Sequence, residues 1–405
     1  MNYDISIIIV NYNGKKYIDD LFESLMKLET DNFTFEIIFV DNCSTDDSVE
    51  YLEKKYVVLM ENLKVIRLNK NIGFAGGNNV GVKYSKGRYV VFLNNDTKVL
   101  PNWLKELYKC IKQNNAGIVT SKLLFFYDFI RLNINTDDKI VIDNRILMNG
   151  KEYMLDPKFC RNMLVYDSYS ICFGNSYFYL PLLDGISAYE IQIYFRDIQS
   201  AQKLNSVIYI NSNRFDVGGS INLSLEQVEK FRVTLIQNAG SGIDRYYNGY
   251  DIGFCEEDYG QYEEIREVEA ACGAAMIMCK EDFINIGMFD ENFFMYYEDT
   301  DLSMRMKSMG KKLLYCPTAQ VRHVHTGSSK EWSPFFVYYV FRNRMLFILK
   351  NYPLRVFIKQ VTRFILQIME SLFKKERLEI KRAKLRSALS LFKFIPIYTM
   401  KKWGV

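Results

Sequence analysis

Three carboxylates fall almost side by side in Tyr297-Glu298-Asp299-Thr300-Asp301, with Asp290 a few residues earlier and aromatic residues, including Tyr296, between them. Like charges and partial desolvation raise a carboxylate's pKa toward neutrality, as a general base that deprotonates a hydroxyl requires. Asp299 is the candidate base and Glu298 its reserve. Asp301 reads as a cap or brace, because acidic first turns also complement the helix dipole. A second group is Asn94-Asn95-Asp96-Thr97, which follows the apolar run 89–93 and so puts the Asp96 carboxylate at the end of a buried strand. Hard cations such as Mg²⁺ or Mn²⁺ take a carboxylate together with diphosphate oxygens. Both histidines of the chain, His323 and His325, lie in Val321-Arg322-His323-Val324-His325. Strand alternation would put them on one face, where either could complete a metal site.

A third group suits a nucleotide. Asp41, with Asn42 and Ser44 just after it, can accept from a pyrimidine N–H or a ribose hydroxyl beside a helix terminus that favours anions. Asp-Asn-x-Ser is equally an ordinary helix cap. Asn11 and Asn13 follow the first strand, and Asn71-Ile72-Gly73-Phe74-Ala75-Gly76-Gly77-Asn78 reads as a glycine-rich turn whose backbone can approach a ligand closely. It is not the GxGxxG of dinucleotide oxidoreductases.

The elements that must position these groups alternate along residues 1–120. Strands are expected at 5–11, 35–41, 63–68 and 89–93, with helical patterns at 16–28, 44–55 and from 77 to 84. Near-continuous Ile/Val/Phe strands between amphipathic helices make an α/β fold with a mostly parallel, doubly covered sheet, whose ligands sit at the carboxyl ends of the strands. Residues 125–235 change in texture: rich in Tyr, Asn and Asp, with β-prone runs at 139–143, 177–180 and 207–210, they read as a β-rich insertion. The α/β character returns with the apolar run 270–279 and a charged helix through 301–310, and this part ends near Lys330.

At 405 residues, about half of them apolar, the chain can bury a large core and exceeds one small module. Its eight cysteines are scattered without a CxxC pair and read as reduced thiols. No segment has the roughly 18 consecutive apolar residues of a bilayer-spanning helix, and the N-terminus lacks a basic signal-peptide region. A location in the cytoplasm or on a membrane surface is expected. Residues 331–405 carry 16 Lys/Arg against 4 Asp/Glu, a net +12, whereas residues 1–330 carry 36 against 44, a net −8. The basic tail mixes its cations with Phe, Ile and Leu, which suits helices lying in an anionic headgroup region. A helical pair packed on the catalytic part is the plainer alternative, and nucleic-acid binding is disfavoured by the aliphatic content.

In order, these motifs resemble family 2 glycosyltransferases of the GT-A fold, notably a rhamnosyltransferase-like branch that builds bacterial surface polysaccharides. Ile8–Gly14, Val40–Asp46, Asn71–Gly81 and Leu93–Thr97 resemble that family's donor-binding half. Gly260-Gln261-Tyr262, Ala271–Met276, Gly287–Glu291, Tyr297–Leu302, His323–Ser328 and Arg342-Asn343-Arg344 resemble its acceptor half. The resemblance implies a donor-binding half over 1–124, the insertion over 125–235, an acceptor and catalytic half over 236–330 and a basic helical tail over 331–405. It implies that Asn11, Asn13, Asp41, Asn42, Ser44, Asn71, Gly73, Phe74, Asn78 and Asn95 hold a UDP- or dTDP-sugar. Asp96 with His323 or His325 would bind Mn²⁺ or Mg²⁺. Asp299 would be the base of an inverting transfer, and Gly273, Tyr296 and Asp290 would meet a glycan or lipid-linked acceptor. Asn94 stands where a full DxD has its first aspartate, and the QxxRW of processive polymerases is absent. Two other functions fit parts of the pattern: a sugar nucleotidyltransferase, which lacks its GxGxR-type loop here, and a non-catalytic glycan-binding protein.

Overall fold

Ile5, Ile7, Ile8 and Ile9 expose no surface, so their strand needs neighbours on both edges and cover on both faces. Strand β1 (Ile5–Asn11) pairs in parallel with β2 (Phe35–Asp41), which continues to β3 (Leu63–Arg67); on its other edge β1 pairs in parallel with β4 (Tyr89–Asn94). The computed structural model describes residues 3–30, 32–183, 188–325 and 331–403; the expected boundary at Lys330 and Thr326–Ser328 of the histidine motif lie outside them.

Helices α1 (Ile18–Leu25), α2 (Ser48–Leu52) and α3 (Gly73–Tyr84) connect these strands. Two differ from the sequence pattern. α2 begins at Ser48 instead of 44, because Cys43 and Asp47 adopt left-handed backbone and the Asp41 and Asp46 carboxylates take the N–H groups of Ser44 and Ser48. α3 begins at Gly73, so most of the expected glycine turn is helix. Its glycines face the sheet: a Cβ on Gly77 would stand 2.7 Å from Val10 Cγ1, and one on Gly81 would collide with Ile8. They serve close helix–strand approach.

The sheet is extended by β5 (Thr97–Val99), then, after α4 (Trp103–Asn114), by β6 (Ile118–Phe125). A separate hairpin joins β7 (Ser241–Ile243) to β8 (Gly249–Asp251). β9 (Ala275–Cys279) runs antiparallel between β4 and β6, and, after α5 (Glu298–Ser308), β10 (Leu313–His323) runs parallel to β6 and antiparallel to β5. The register sets Asn11 opposite Asp41, Val10 opposite Asn94, and His323 opposite Thr97. Polar residues of four strand ends therefore gather at one edge of the α/β sheet. β10 stops at His323, and His325 has a φ of +56°. The expected alternation does not extend to the second histidine.

Helices α6 (Pro334–Asn351), α7 (Leu354–Phe373) and α8 (Leu378–Trp403) follow. Ser333 caps α6 by accepting from Phe336 N–H, with Pro334 in the first turn. Met345 to Leu349 are all buried and share a core with Phe293, Phe357, Phe364, Leu391 and Phe394. These helices belong to the same compact unit as the sheet, residues 1–126, 237–254 and 262–405.

The second unit comprises Tyr127–Ile236 and Cys255–Gln261, so the latter segment joins the insertion instead of the 236–330 part that the sequence grouped it with. Its spine is the strand Phe129–Met148, where buried Ile130, Leu132 and Ile134 alternate with Arg131, Asn133 and Asn135. Tyr169–Pro181, Tyr189–Phe195 and Val207–Ile210 pair with it antiparallel. The β-prone runs lie in these strands, and a core of its own, including Ile142, Phe178 and Ile208, holds the unit together.

Candidate active site

Asp96 and His323 meet where β4 and β10 end. His323 Nε2 lies 3.1 Å from Asp96 Oδ1 and 3.2 Å from Asn94 Nδ2. On the far side of the ring, Nδ1 lies 2.6 Å from Gln237 Oε1, which only accepts, so Nδ1 donates there and Nε2 is the nitrogen turned to Asp96. Two electron-pair donors facing each other at that separation are stable only with a cation or proton between them. Burial opposes ionisation of Asp96, but the adjacent His323 outweighs it and holds the carboxyl below its ordinary range. Among the described residues no group of three or more His, Cys, Asp or Glu could hold a metal unaided. A cation that draws its remaining ligands from a substrate diphosphate fits this two-residue set. His325 instead packs its ring against Phe125 and Phe254, at 6.0 and 5.3 Å between centroids, and its Nε2 is 3.9 Å from Glu331.

The carboxylate cluster opens α5. Phe294, Tyr296 and Tyr297 all have left-handed backbone, a strained approach that ordinary residues keep only when the surroundings impose it. α6 supplies that constraint: Asn343 Nδ2 donates to the carbonyls of Phe293 (2.8 Å), Met295 (2.7 Å) and Tyr296 (2.7 Å), and Arg342 Nη2 to those of Asn292 and Phe293. Asp299 then accepts from Gly273 N–H (2.9 Å) and Thr300 N–H (2.6 Å). Burial raises its pKa against the opposition of these donors. Gly273 eases the approach, since a Cβ there would sit 3.2 Å from Asp299 Oδ2 and the carboxylate would have to give way by a few tenths of an ångström. Glu298 is buried with Oε2 unpartnered, and burial, then the charge of Asp299, lift its pKa well above the usual glutamate range. That favours a protonated, structural Glu298 over a base. Asp301, fully buried, accepts from Arg305 (2.8 Å), Lys350 (2.8 Å) and Asn351 (2.9 Å), which makes it the brace between α5 and α6.

The two groups are joined through β9. Gly273 holds Asp299, and the next residue, Ala274, accepts from Asn94 N–H two positions before Asp96. Asp251, at the end of β8, was not singled out by the sequence. Burial pushes its pKa up to about 6, Asn238 opposes this, and Asp299 adds to it. His323 also acts on it electrostatically, so Asp251 is within electrostatic reach of both the base and the metal-binding pair. Asp251 and Gln237 carry no local signal; a lone aspartate after Gly249-Tyr250 and a glutamine in an apolar run look like surface and strand residues.

The nucleotide candidates form one network. Asn11 Nδ2 donates to Asp41 Oδ1 (3.3 Å), Ser44 Oγ (3.1 Å) and Ser48 Oγ (2.9 Å), and its Oδ1 accepts from Asn95 Nδ2 (2.8 Å). Asn13 Oδ1 accepts from Thr45 N–H (2.7 Å). Asn42 ties Asn71 to Gly73, with bonds of 3.0 Å to Asn71 Oδ1 and to the Gly73 carbonyl. Asp41 keeps acceptor capacity beyond its bonds to Asn11 and Ser44. Asn78, by contrast, is buried and donates to the Phe74 carbonyl one turn back, while the Phe74 ring packs 5.9 Å from Phe289. Among the acceptor candidates, Gly273 touches the base. Asp290 spends its carboxylate on Lys350 (2.9 Å), Tyr398 (2.8 Å) and Asn292, a brace to the C-terminal helices, and the Tyr296 ring packs 5.2 Å from Phe336. Closing the chain into this fold spent the side chains of Asn78 and Asp290 on packing.

Residues 6–176 match the sequence profile described as Glycosyl transferase family 2. The chain carries a family 2 glycosyltransferase domain. The poly(ribitol-phosphate) beta-N-acetylglucosaminyltransferase TarS of Staphylococcus aureus (strain Mu50 / ATCC 700699) is 34% identical over 119 residues, 29% of this chain and 20% of TarS. The putative teichuronic acid biosynthesis glycosyltransferase TuaG of Bacillus subtilis (strain 168) is 35% identical over 102 residues, 25% of this chain and 38% of TuaG. The chain thus matches only a fifth to two fifths of those relatives' lengths. A crystal structure of GalNAc-T7 with UDP, GalNAc and Mn²⁺ superposes with a TM-score of 0.52 at 14% identity, covering 99% of this chain and 58% of that one. The shared fold is GT-A.

Proposed function

We propose that this protein is an inverting glycosyltransferase that moves a hexose from a nucleoside diphosphate to a glycan or lipid-linked acceptor of a cell-surface polysaccharide, working at the cytoplasmic face of a membrane. The observation that carries the proposal is the junction just before β9: Gly273 holds the Asp299 carboxylate while Ala274 binds the end of β4, which delivers Asp96 to the His323 that ends β10. The network around Asp41 lies at the ends of the neighbouring strands, where uracil or thymine and ribose would bind.

Asp299 takes the proton of the acceptor hydroxyl as that oxygen bonds to the anomeric carbon and the bond from carbon to the diphosphate oxygen breaks, which inverts the centre. The raised pKa makes Asp299 a better base than an exposed aspartate. Asp96 and His323 would hold a divalent cation, Mn²⁺ or Mg²⁺, which when bound offsets charge on the departing diphosphate. Rhamnose from a dTDP donor follows from the family resemblance, and the N-acetylglucosaminyl transfer in TarS's name makes UDP-N-acetylglucosamine the second donor to try.

The test is hydrolysis and transfer of nucleotide sugars with Mn²⁺, for the parent, Asp299→Asn and Asp96→Ala. Asp299→Asn should lose about 10²- to 10⁴-fold in kcat and keep its donor KM; Asp96→Ala should lose its response to Mn²⁺. Full turnover by Asp299→Asn would sink the assignment.

A further inference from the structure

Beyond the β7–β8 hairpin lies a cavity of about 680 Å³ whose polar lining includes Asn248, Arg344, Gln360, Arg363, Gln367 and Glu370. None of these takes part in the chemistry above. Gln360 is only 7% exposed and lines the cavity from α7. Arg344 donates through Nη1 to Asn248 Oδ1 (2.5 Å), while its buried Nε has no partner. Arg363 lies over the Tyr246 ring at 5.6 Å and is in no ion pair among the described residues. The single carboxylate, Glu370, is spent on Lys374 at 2.8 Å. Gln360, Arg363 and Gln367 share one face of α7 at a spacing of i, i+3, i+7. With Arg344 reaching in from α6, donors approach from several directions.

A buried donor without an acceptor, as Arg344 Nε is, is costly, and guanidinium forks match phosphate oxygens. The tetrahedral arrangement of acceptors on a phosphate suits donors converging from two helices better than a planar carboxylate does. We propose that this cavity is a phosphate-binding subsite that takes a phosphoester group of the acceptor. The hairpin indicates why the acceptor is the source. Asn248 lines the cavity, and Asp251, three residues further along the extended strand and so about 10 Å away, feels the charge of Asp299. Tyr297, two residues before the base, reaches the same hairpin: its hydroxyl donates to the Tyr247 carbonyl (3.3 Å) and accepts from Gly249 N–H. A phosphate held in the cavity would therefore register a hydroxyl one sugar or polyol unit away against Asp299. The inference rests on the glycosyltransferase reading for its acceptor, but not for its anion chemistry.

The experiment titrates inorganic phosphate into the full chain with UDP and Mn²⁺ filling the donor site, and follows ³¹P line broadening. The parent should bind, and Arg363→Gln, an exposed change that does not threaten folding, should weaken binding by about tenfold or more; Gln360→Leu should weaken it too. Equal binding by parent and both variants would overturn the site. Sedimentation with vesicles of phosphatidylglycerol and phosphatidylcholine identifies the source. Gln360→Leu leaves the charge unchanged, so equal retention with the parent supports an acceptor phosphate, and loss of retention would overturn it in favour of a lipid headgroup. Donor hydrolysis by the parent is measured alongside. Its absence would refute the transferase reading while the phosphate titration, which needs no turnover, still judges the cavity.

Discussion

Burial raises the pKa of both Asp251 and Asp299, and the charge of Asp299 adds to the rise at Asp251. A base must be deprotonated to act. Because burial raises the pKa of Asp299, activity should hold at neutral pH and fall as pH drops through that raised value, above the range where exposed aspartates protonate. Asp251→Asn removes a negative neighbour and keeps one acceptor for Asn238. It should move the acid limb of the pH–kcat profile lower by several tenths of a unit to about one unit. An unmoved limb would separate Asp251 from the base. Which residues were readable follows the same physics. Asp299, Asp96 and His323 stand at strand or helix ends inside distinctive local clusters, so type and spacing expose them. Asp251 and Gln237 matter only through partners some 50 to 90 positions away, and no local pattern records such pairs. His325 shares a motif with His323 but falls past the end of the strand, where periodicity stops carrying information.

Among elements, the buried strands were legible because a strand covered on both faces must be built of Ile, Val and Phe. The helix starts were less so: side-chain bonds from Asp41 and Asp46 postpone α2, and the glycines that read as a loop let α3 lie against Val10 and Ile8. The element that sets the base is α6, through Asn343. Its three bonds to the carbonyls of residues 293, 295 and 296 fix the left-handed turn that aims α5. Asn343→Leu fills the same space without donors. A misplacement near 1 Å costs on the order of 10²-fold in rate, so kcat should fall by about 10- to 100-fold while donor KM changes less than about twofold. Steady-state kinetics with saturating acceptor would check this, and a rise in donor KM at constant kcat would contradict it.

At the scale of the whole chain, charge is divided: residues 1–330 are net negative and the tail strongly positive. α7 turns Phe357, Phe364 and Ile368 into the core and leaves Ile358, Ile365, Met369 and Leu372 exposed at helical spacing, beside Arg355, Lys359 and Lys374. No helix among the described residues is long and apolar enough to cross a membrane. An exposed apolar stripe flanked by cations is the arrangement by which a helix lies in a headgroup layer, at about 1 kcal/mol per cation near anionic lipid. The full chain should therefore sediment with vesicles rich in phosphatidylglycerol, lose about tenfold of that affinity as salt shortens the Debye length from about 14 to about 6 Å, and bind pure phosphatidylcholine weakly. Ile365→Asp with Leu372→Asp should abolish retention without altering hydrolysis of a soluble nucleotide sugar, because both side chains point away from the helix's buried face. Retention of that double variant by anionic vesicles would mean that charge alone, and not the apolar stripe, brings the protein to the surface.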